Sequence, residues 1–215
     1  HVFPRTQNEK PRSPTEHLMQ WLNTSYVSTA DAWPDMHAGA ITEGLRPFLW
    51  LYRTGVHETD MVAQKMCTAS GAERIVLERA QPFSKAARLA HQKCTYAIAE
   101  SGQRGSRDRA DIDRHLAWAN AMMRVLGMIE DAPKPTAAPG TILTSLTFEY
   151  APFDGIWRPA NAFEHVTKGD ILGTCCRMDG TGDQTIRASN NGEALWWKET
   201  MAMRKGDILC TTGRP

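Results

Sequence analysis

The chain has 215 residues, of which 41% are hydrophobic, enough for one large domain or two small ones built around real cores. Its 25 Lys and Arg against 24 Asp and Glu, with no long run of one sign, give no electrostatic reason to expect nucleic acid or an anionic membrane as partner. No apolar stretch reaches the length of a membrane span and no secretory leader is visible, so the expected location is the cytoplasm, and small-molecule chemistry or protein contact remains. The five cysteines, Cys67, Cys94, Cys175, Cys176 and Cys210, are odd in number and lack zinc-finger spacing, so they are expected as reduced thiols, with the Cys175-Cys176 pair buried.

The chain opens His1-Val2-Phe3-Pro4, with neither a methionine nor a leader, and is expected to be an internal fragment. Ser13-Pro14-Thr15-Glu16 has capping-box spacing with proline at the first helical position, predicting a helix to about Asn23-Thr24 with Leu18, Met19 and Leu22 inward. Asp31 to Met36 leads into His37 as a strand that Pro34 makes a poor central one. Pro47 to Tyr52 is a short apolar run of the kind that forms a buried strand.

Asp60 is the expected cap of a second helix, with Val62, Met66 and Cys67 on one side and Gly71 as its stop. Arg74 to Glu78 follows as a strand, Ser84 caps a helix through Lys93, and Cys94 to Glu100 is a strand delivering Glu100 to the turn Ser101-Gly102-Gln103. The longest helix is expected from Asp108 to Leu126, with Ile112, Leu116, Ala119, Met123 and Leu126 as its core stripe and Gly127 as its stop. Such alternation predicts an α/β architecture with a mostly parallel sheet, whose functional residues gather outside the carboxyl ends of strands, where His37 and Glu100 both fall.

The expected boundaries are 1–130 for an α/β domain, 131–147 for a Pro-rich linker, and 148–215 for a small β domain. Within the last, Gly155 recurs as Gly192 and Lys168-Gly169-Asp170-Ile171-Leu172 as Lys205-Gly206-Asp207-Ile208-Leu209, both 37 residues on. Glycine turns between short apolar runs make this a β repeat, predicting a duplicated sandwich or flattened barrel. It resembles the biotinyl/lipoyl carrier fold, but the joining turn near Met178-Asp179-Gly180 has no lysine to modify, which argues against a swinging arm.

His37 lies in Asp35-Met36-His37-Ala38-Gly39, an acid before the imidazole and small residues after it that can bring backbone close to a ligand. A neutral imidazole is a good zinc ligand, and Asp35 is placed to orient the ring; the bland alternative is a hydrogen-bonded structural histidine. Trp50, Tyr52, Trp196 and Trp197 can line a pocket or pack in the core, and packing is the favoured reading for each. His57-Glu58 is read as a solvated turn and His91-x-x-Cys94 as a helix end near a buried thiol; His17 and His115 lie on helices, and His165 stands apart in the β region.

Phe3-Pro4, Thr15-Glu16 opening a helix, Asp35-Met36-His37-Ala38-Gly39, Pro47-Phe48, Ala99-Glu100-Ser101-Gly102 and the duplicated Lys-Gly-Asp-Ile-Leu segments resemble, in this order, the succinylglutamate desuccinylase/aspartoacylase family of zinc carboxypeptidase-like hydrolases. The resemblance implies a partial three-layer α/β/α domain followed by the small β domain. It implies a Zn2+-dependent deacylase, cleaving an N-acyl amino acid or related small amide to a carboxylate and a free amine. By the same resemblance His37 matches a zinc ligand, the other ligands being expected upstream of residue 1, and Glu100 matches the catalytic glutamate. His1 stands where family members carry a substrate-binding arginine. Zinc lowers the pKa of bound water to about 7, and a carboxylate such as Glu100 then moves the proton to the leaving amine. The alternative from another class is a non-catalytic binding or scaffold relative that has lost the metal site. The β domain is expected to shape the cleft entrance or to make a homo-oligomer contact.

Overall fold

The structure is a computed structural model that describes residues 10–130, 140–160, 164–200 and 202–215. His1, Phe3-Pro4 and the first part of the expected linker lie outside them.

Helix α1 (Pro14–Ser25) starts as its sequence dictates, with the Ser13 hydroxyl accepting from the Glu16 amide at 3.2 Å. The Glu16 carboxylate accepts from the Arg12 amide rather than closing a reciprocal box. Strands β1 (Ala32–His37), β3 (Phe48–Arg53), β4 (Arg74–Arg79), β5 (Thr95–Glu100) and β6 (Thr141–Leu143) form one sheet in the order β1-β5-β3-β4-β6. The pairs β1/β5, β3/β4 and β4/β6 are parallel and β3/β5 is antiparallel, so the sheet is mixed but mostly parallel. Pro34 sits on β1, an edge of this sheet among the described residues, where a missing amide donor costs least.

One face of the sheet carries Leu49, Leu51, Ile75, Ala97 and Ala99, covered by helices α2 (His57–Ala69) and α4 (Arg109–Val125). The other carries Trp33, Tyr52, Tyr96 and Ile98 against α1 and α3 (Lys85–His91), and, toward β4, Phe48, Trp50 and Val76 against the C-terminal β region. Period-two alternation along β3 sorts Leu49 and Leu51 from Phe48, Trp50 and Tyr52, so a nearly all-apolar strand serves two different layers.

Three expectations for these elements differ from the structure. Leu18 is 53% exposed, leaving Met19 as the α1 residue packed on the core. Helix α2 starts at His57 with no side-chain cap; Asp60, inside the first turn, instead accepts from the Thr54 and Gly55 amides and the Thr54 hydroxyl of the preceding loop. On α4 the buried residues are Trp118, Ala121 and Met122, while Ile112 and Leu116 are 47% and 54% exposed. The real inward face is rotated toward the large indole, because α4 packs on α2 as well as on the sheet.

The expected linker is described only from residue 140, and there it is strand: β6 pairs with β4, and β7 (Ser145–Tyr150) follows at once. The remaining strands are β2 (Glu43–Leu45), β8 (Gly155–Pro159), β9 (His165–Val166), β10 (Ile171–Cys176), β11 (Gln184–Arg187), β12 (Gly192–Lys198), β13 (Ala202–Met203) and β14 (Ile208–Arg214). They make a sheet β11-β10-β8-β13 and a sheet β2-β12-β14-β7, with β9 on β12. Shifted by the sequence period, each pairing of the first sheet has its counterpart in the second, and the turns agree bond for bond. Gly169 donates to the Ala188 carbonyl at 2.8 Å and Gly206 to that of Ala151 at 2.9 Å; the Asp170 carboxylate accepts from the Thr167 amide and that of Asp207 from Arg204. Both glycines have positive φ, +98° and +85°, which a side chain would strain. A core of Trp157, Leu172, Cys175, Trp197, Leu209 and Cys210 joins residues of both sheets.

Candidate functional site

The parallel β1/β5 register places His37 directly beside Glu100 at the carboxyl ends of the two strands. The ladder continues past them, with the Ser101 amide donating to the His37 carbonyl and the Gly39 amide to that of Gly102. The approach is close: a Cβ at Gly39 would lie 3.3 Å from both the Gly102 oxygen and the Leu45 Cβ, so a side chain there would make its neighbours shift by a few tenths of an ångström. The close neighbour of this small-residue turn is therefore the chain itself.

His37 Nδ1 lies 3.4 Å from Glu100 Oε1, and Nε2 lies 3.2 Å from Asp35 Oδ1. The hydrogen bonds to Asp35 and Glu100 raise the imidazole pKa to about 10 against the opposing effect of partial burial. Burial opposes ionisation of Asp35, yet the hydrogen bonds from His37 and Lys85, with their charges, outweigh it and hold the carboxyl well below the usual range. Lys85 Nζ donates to Asp35 Oδ2 at 2.6 Å while lying 3.9 Å from the Trp33 ring centre, and the Tyr96 hydroxyl donates to the same oxygen at 3.0 Å. Burial and the adjacent Asp35 push the Tyr96 phenol pKa up, keeping it a donor.

Beneath the strand ends, His115 on α4 places Nε2 3.0 Å from the His37 carbonyl and 3.1 Å from that of Ser101. Carbonyls only accept, so Nε2 carries the proton. Arg114 bridges Asp111 and the Ser101 hydroxyl, closing the same corner. Lys85, Tyr96 and His115 escaped the sequence reading because their partners lie 50, 61 and 78 residues away and no local pattern links them.

His37, Glu43 and Glu100 line a cavity of about 280 Å³ between the first sheet and the sheet containing β7, β12 and β14. Trp50 and Trp196 are in its wall, so for these two the lining role holds, while Trp197 is buried against Gly44. A larger cleft of about 1030 Å³ opens at the carboxyl ends of β3 and β4, the far end of the sheet from His37. The chemistry-bearing pair is in the smaller one.

Zinc suits the imidazole and carboxylate in kind, and Asp35 is positioned to fix one ring nitrogen, while Glu100 lies on the other. In number the donors fall short. Among the described residues no group of three His, Cys, Asp or Glu side chains could hold a metal ion, whereas a catalytic zinc takes three protein ligands. His57, His91 and His165 are not brought to the site.

No protein-family model and no curated protein matches the sequence. Solved structures do match. A succinylglutamate desuccinylase/aspartoacylase from Rhodobacter sphaeroides superposes with a TM-score of 0.82 at 16% identity, over 96% of this chain and 65% of that one. The product-bound ectoine utilization protein EutE (DoeB) from Ruegeria pomeroyi gives 0.82 at 19% identity, over 98% and 67%. A succinylglutamate desuccinylase from Silicibacter sp. TM1040 gives 0.78 at 15%, over 99% and 66%. The chain thus spans about two thirds of the length of the structures it matches. Among the described residues no helix is long and apolar enough to cross a membrane. The mostly parallel sheet with its covering helices and the C-terminal sheets together give this chain the mixed α/β fold of the succinylglutamate desuccinylase/aspartoacylase structures.

Proposed function

We propose that the chain forms part of a deacylase-type amide hydrolase, releasing a carboxylate and a free amine from an N-acyl amino acid or related small amide. The observation that carries this reading is the placement of His37 and Glu100 side by side at two adjacent strand ends, at the mouth of a cavity, in a fold shared with desuccinylase and aspartoacylase structures. Glu100 serves as the base that takes a proton from water and passes it to the leaving amine. Asp35, held by Lys85 and Tyr96, orients His37, and His115 anchors the backbone that carries it.

In this reading Zn2+, when bound, supplies Lewis acidity and an acidic water, with His37 as one ligand and others contributed from outside the described residues. His1 stays a proposed substrate-binding residue. A cytoplasmic location and a homo-oligomer contact belong to the same proposal, as does the lack of nucleic-acid or membrane partners, which the near-even charge supports. So does the division at 130 and 148, with residues 148–215 as a duplicated barrel or sandwich, supported by the repeated turn bonds.

The second reading, a non-catalytic relative, draws support from His37 having a carboxylate on each ring nitrogen. Elemental analysis of this chain and of a form extended upstream of residue 1, with a Glu100→Gln variant assayed for free amine from a panel of N-acyl amino acids, separates the two. About one zinc per extended chain and a loss of roughly 10²- to 10⁴-fold in the variant are expected. No zinc in either form and no turnover would establish the non-catalytic reading.

A further inference from the structure

The wall of the His37/Glu100 cavity is built for an apolar group. Phe48 and Trp50 on β3, Leu146 and Phe148 on β7, Trp196 on β12 and Ile208 on β14 all face it. These residues come from two different sheets and are brought together only by the seam between them, so the cavity's apolar lining is continuous rather than one stray side chain. Leu45, Val76 and Leu195, which share one buried cluster with Phe48 and Leu143, complete the apolar lining. The indole nitrogen of Trp50 donates to Glu78 at 3.2 Å, so its polar edge is satisfied away from the cavity and the ring serves as wall. Phe48 braces it, with ring centres 6.0 Å apart.

The charged and titratable groups in the lining, His37, Glu43 and Glu100, are gathered at the ends of β1, β2 and β5, and Thr211 on β14 adds one hydroxyl. Glu43 already accepts from the Ala40 amide at 2.8 Å. A second carboxylate on a ligand would meet two carboxylates for the one imidazole between strand end and apolar wall, while an uncharged chain would meet hydrocarbon and aromatic faces with the single hydroxyl of Thr211 among them. The volume, about 280 Å³, holds roughly nine non-hydrogen atoms at the ~30 Å³ each that a water takes in the liquid.

We propose that the substrate carries, next to its scissile amide, an uncharged apolar chain of about four to eight carbons, and that this cavity binds it. The inference rests on the amide-hydrolase reading for the reaction, but the binding site itself does not. The chain attaches on the acyl side or on the amine side of the amide. N-hexanoylglycine and N-acetylnorleucine separate the two, against N-succinylglycine and N-acetylglycine as references.

The expected result is kcat/KM rising roughly fourfold per added methylene up to the length that fills the cavity, for one of the two series. Phe148→Arg is expected to reverse the preference toward the succinyl compound, and Phe148→Leu to retain it. In parallel, hexanoate and succinate are titrated against the tryptophan fluorescence of the same protein. Faster cleavage of succinyl- or acetylglycine than of both apolar substrates would overturn the proposal and leave the hydrolase standing. With no cleavage at all, hexanoate binding at least tenfold tighter than succinate, weakened in Phe148→Arg, would uphold the site and remove the reaction. Equal or weaker hexanoate binding without cleavage would remove both.

Discussion

At the scale of single residues, the site is a chain of charge: Lys85 to Asp35, Asp35 to His37, His37 to Glu100. Each link fixes the orientation of the next, and the imidazole between two carboxylates is the titrating member. Its pKa is raised from 6.5 to about 10, so the stabilisation is fully present below about pH 6.5 and is lost as pH rises through about 10. In chelator, the urea midpoint is therefore expected to fall between pH 7 and 10, and His37→Gln to flatten that slope. The His37 side chain is 47% exposed, so solvent screening holds the effect to about 1 kcal/mol or less. Asp35 acts in the opposite range: its lowered pKa makes its contribution present above the ordinary carboxylate range and lost as pH falls below it.

At the scale of elements, helix α4 distinguishes pattern from packing. Trp118 is 4% exposed within the core and Leu116, two residues earlier, is 54% exposed. Trp118→Ala is expected to cost about 3–5 kcal/mol of unfolding free energy and Leu116→Ala about 0.5 kcal/mol or less, measured by chemical denaturation. Strand β2 gives a second test. Gly44 faces Trp197 across the β2/β12 pair, and a Cβ there would lie 2.1 Å from the indole. Gly44→Ala must displace a buried indole or break the pairing. It is expected to lower stability by about 1–3 kcal/mol and to perturb the tryptophan emission.

At the scale of the whole molecule, the α/β sheet and the C-terminal sheets are tied by more than chain connectivity. β2 leaves the N-terminal part to pair with β12, and Arg74 on β4 donates to Glu193 on β12 at 2.6 Å. All five cysteines are buried and free, and burial pushes the Cys67 and Cys210 thiols up to about 12. Native protein at pH 8 is expected to show essentially no reaction with a thiol reagent, and all five thiols to react once denaturant opens the cores that hold them. Rapid labelling of one native thiol would show that one of these cores opens locally.

The sequence by itself determined the local features: the Ser13 and Ser84 caps, strands β3, β4 and β5, the stop of α4 at Gly127, the period that recurs in the β region, and the position of His37 and of Glu100 each at a strand end. Each follows from a short-range rule, a cap geometry, a two-residue alternation or a glycine conformation, that neighbouring residues satisfy among themselves. Only the tertiary structure decided that Lys85, Tyr96 and His115 support the site, that α4 turns Trp118 inward instead of Leu116, that residues 141–143 extend the first sheet, and that two sheets enclose an apolar cavity beside Glu100. These depend on partners tens of residues distant, and an amphipathic pattern with more than one apolar stripe leaves the choice of buried face to whatever packs against it.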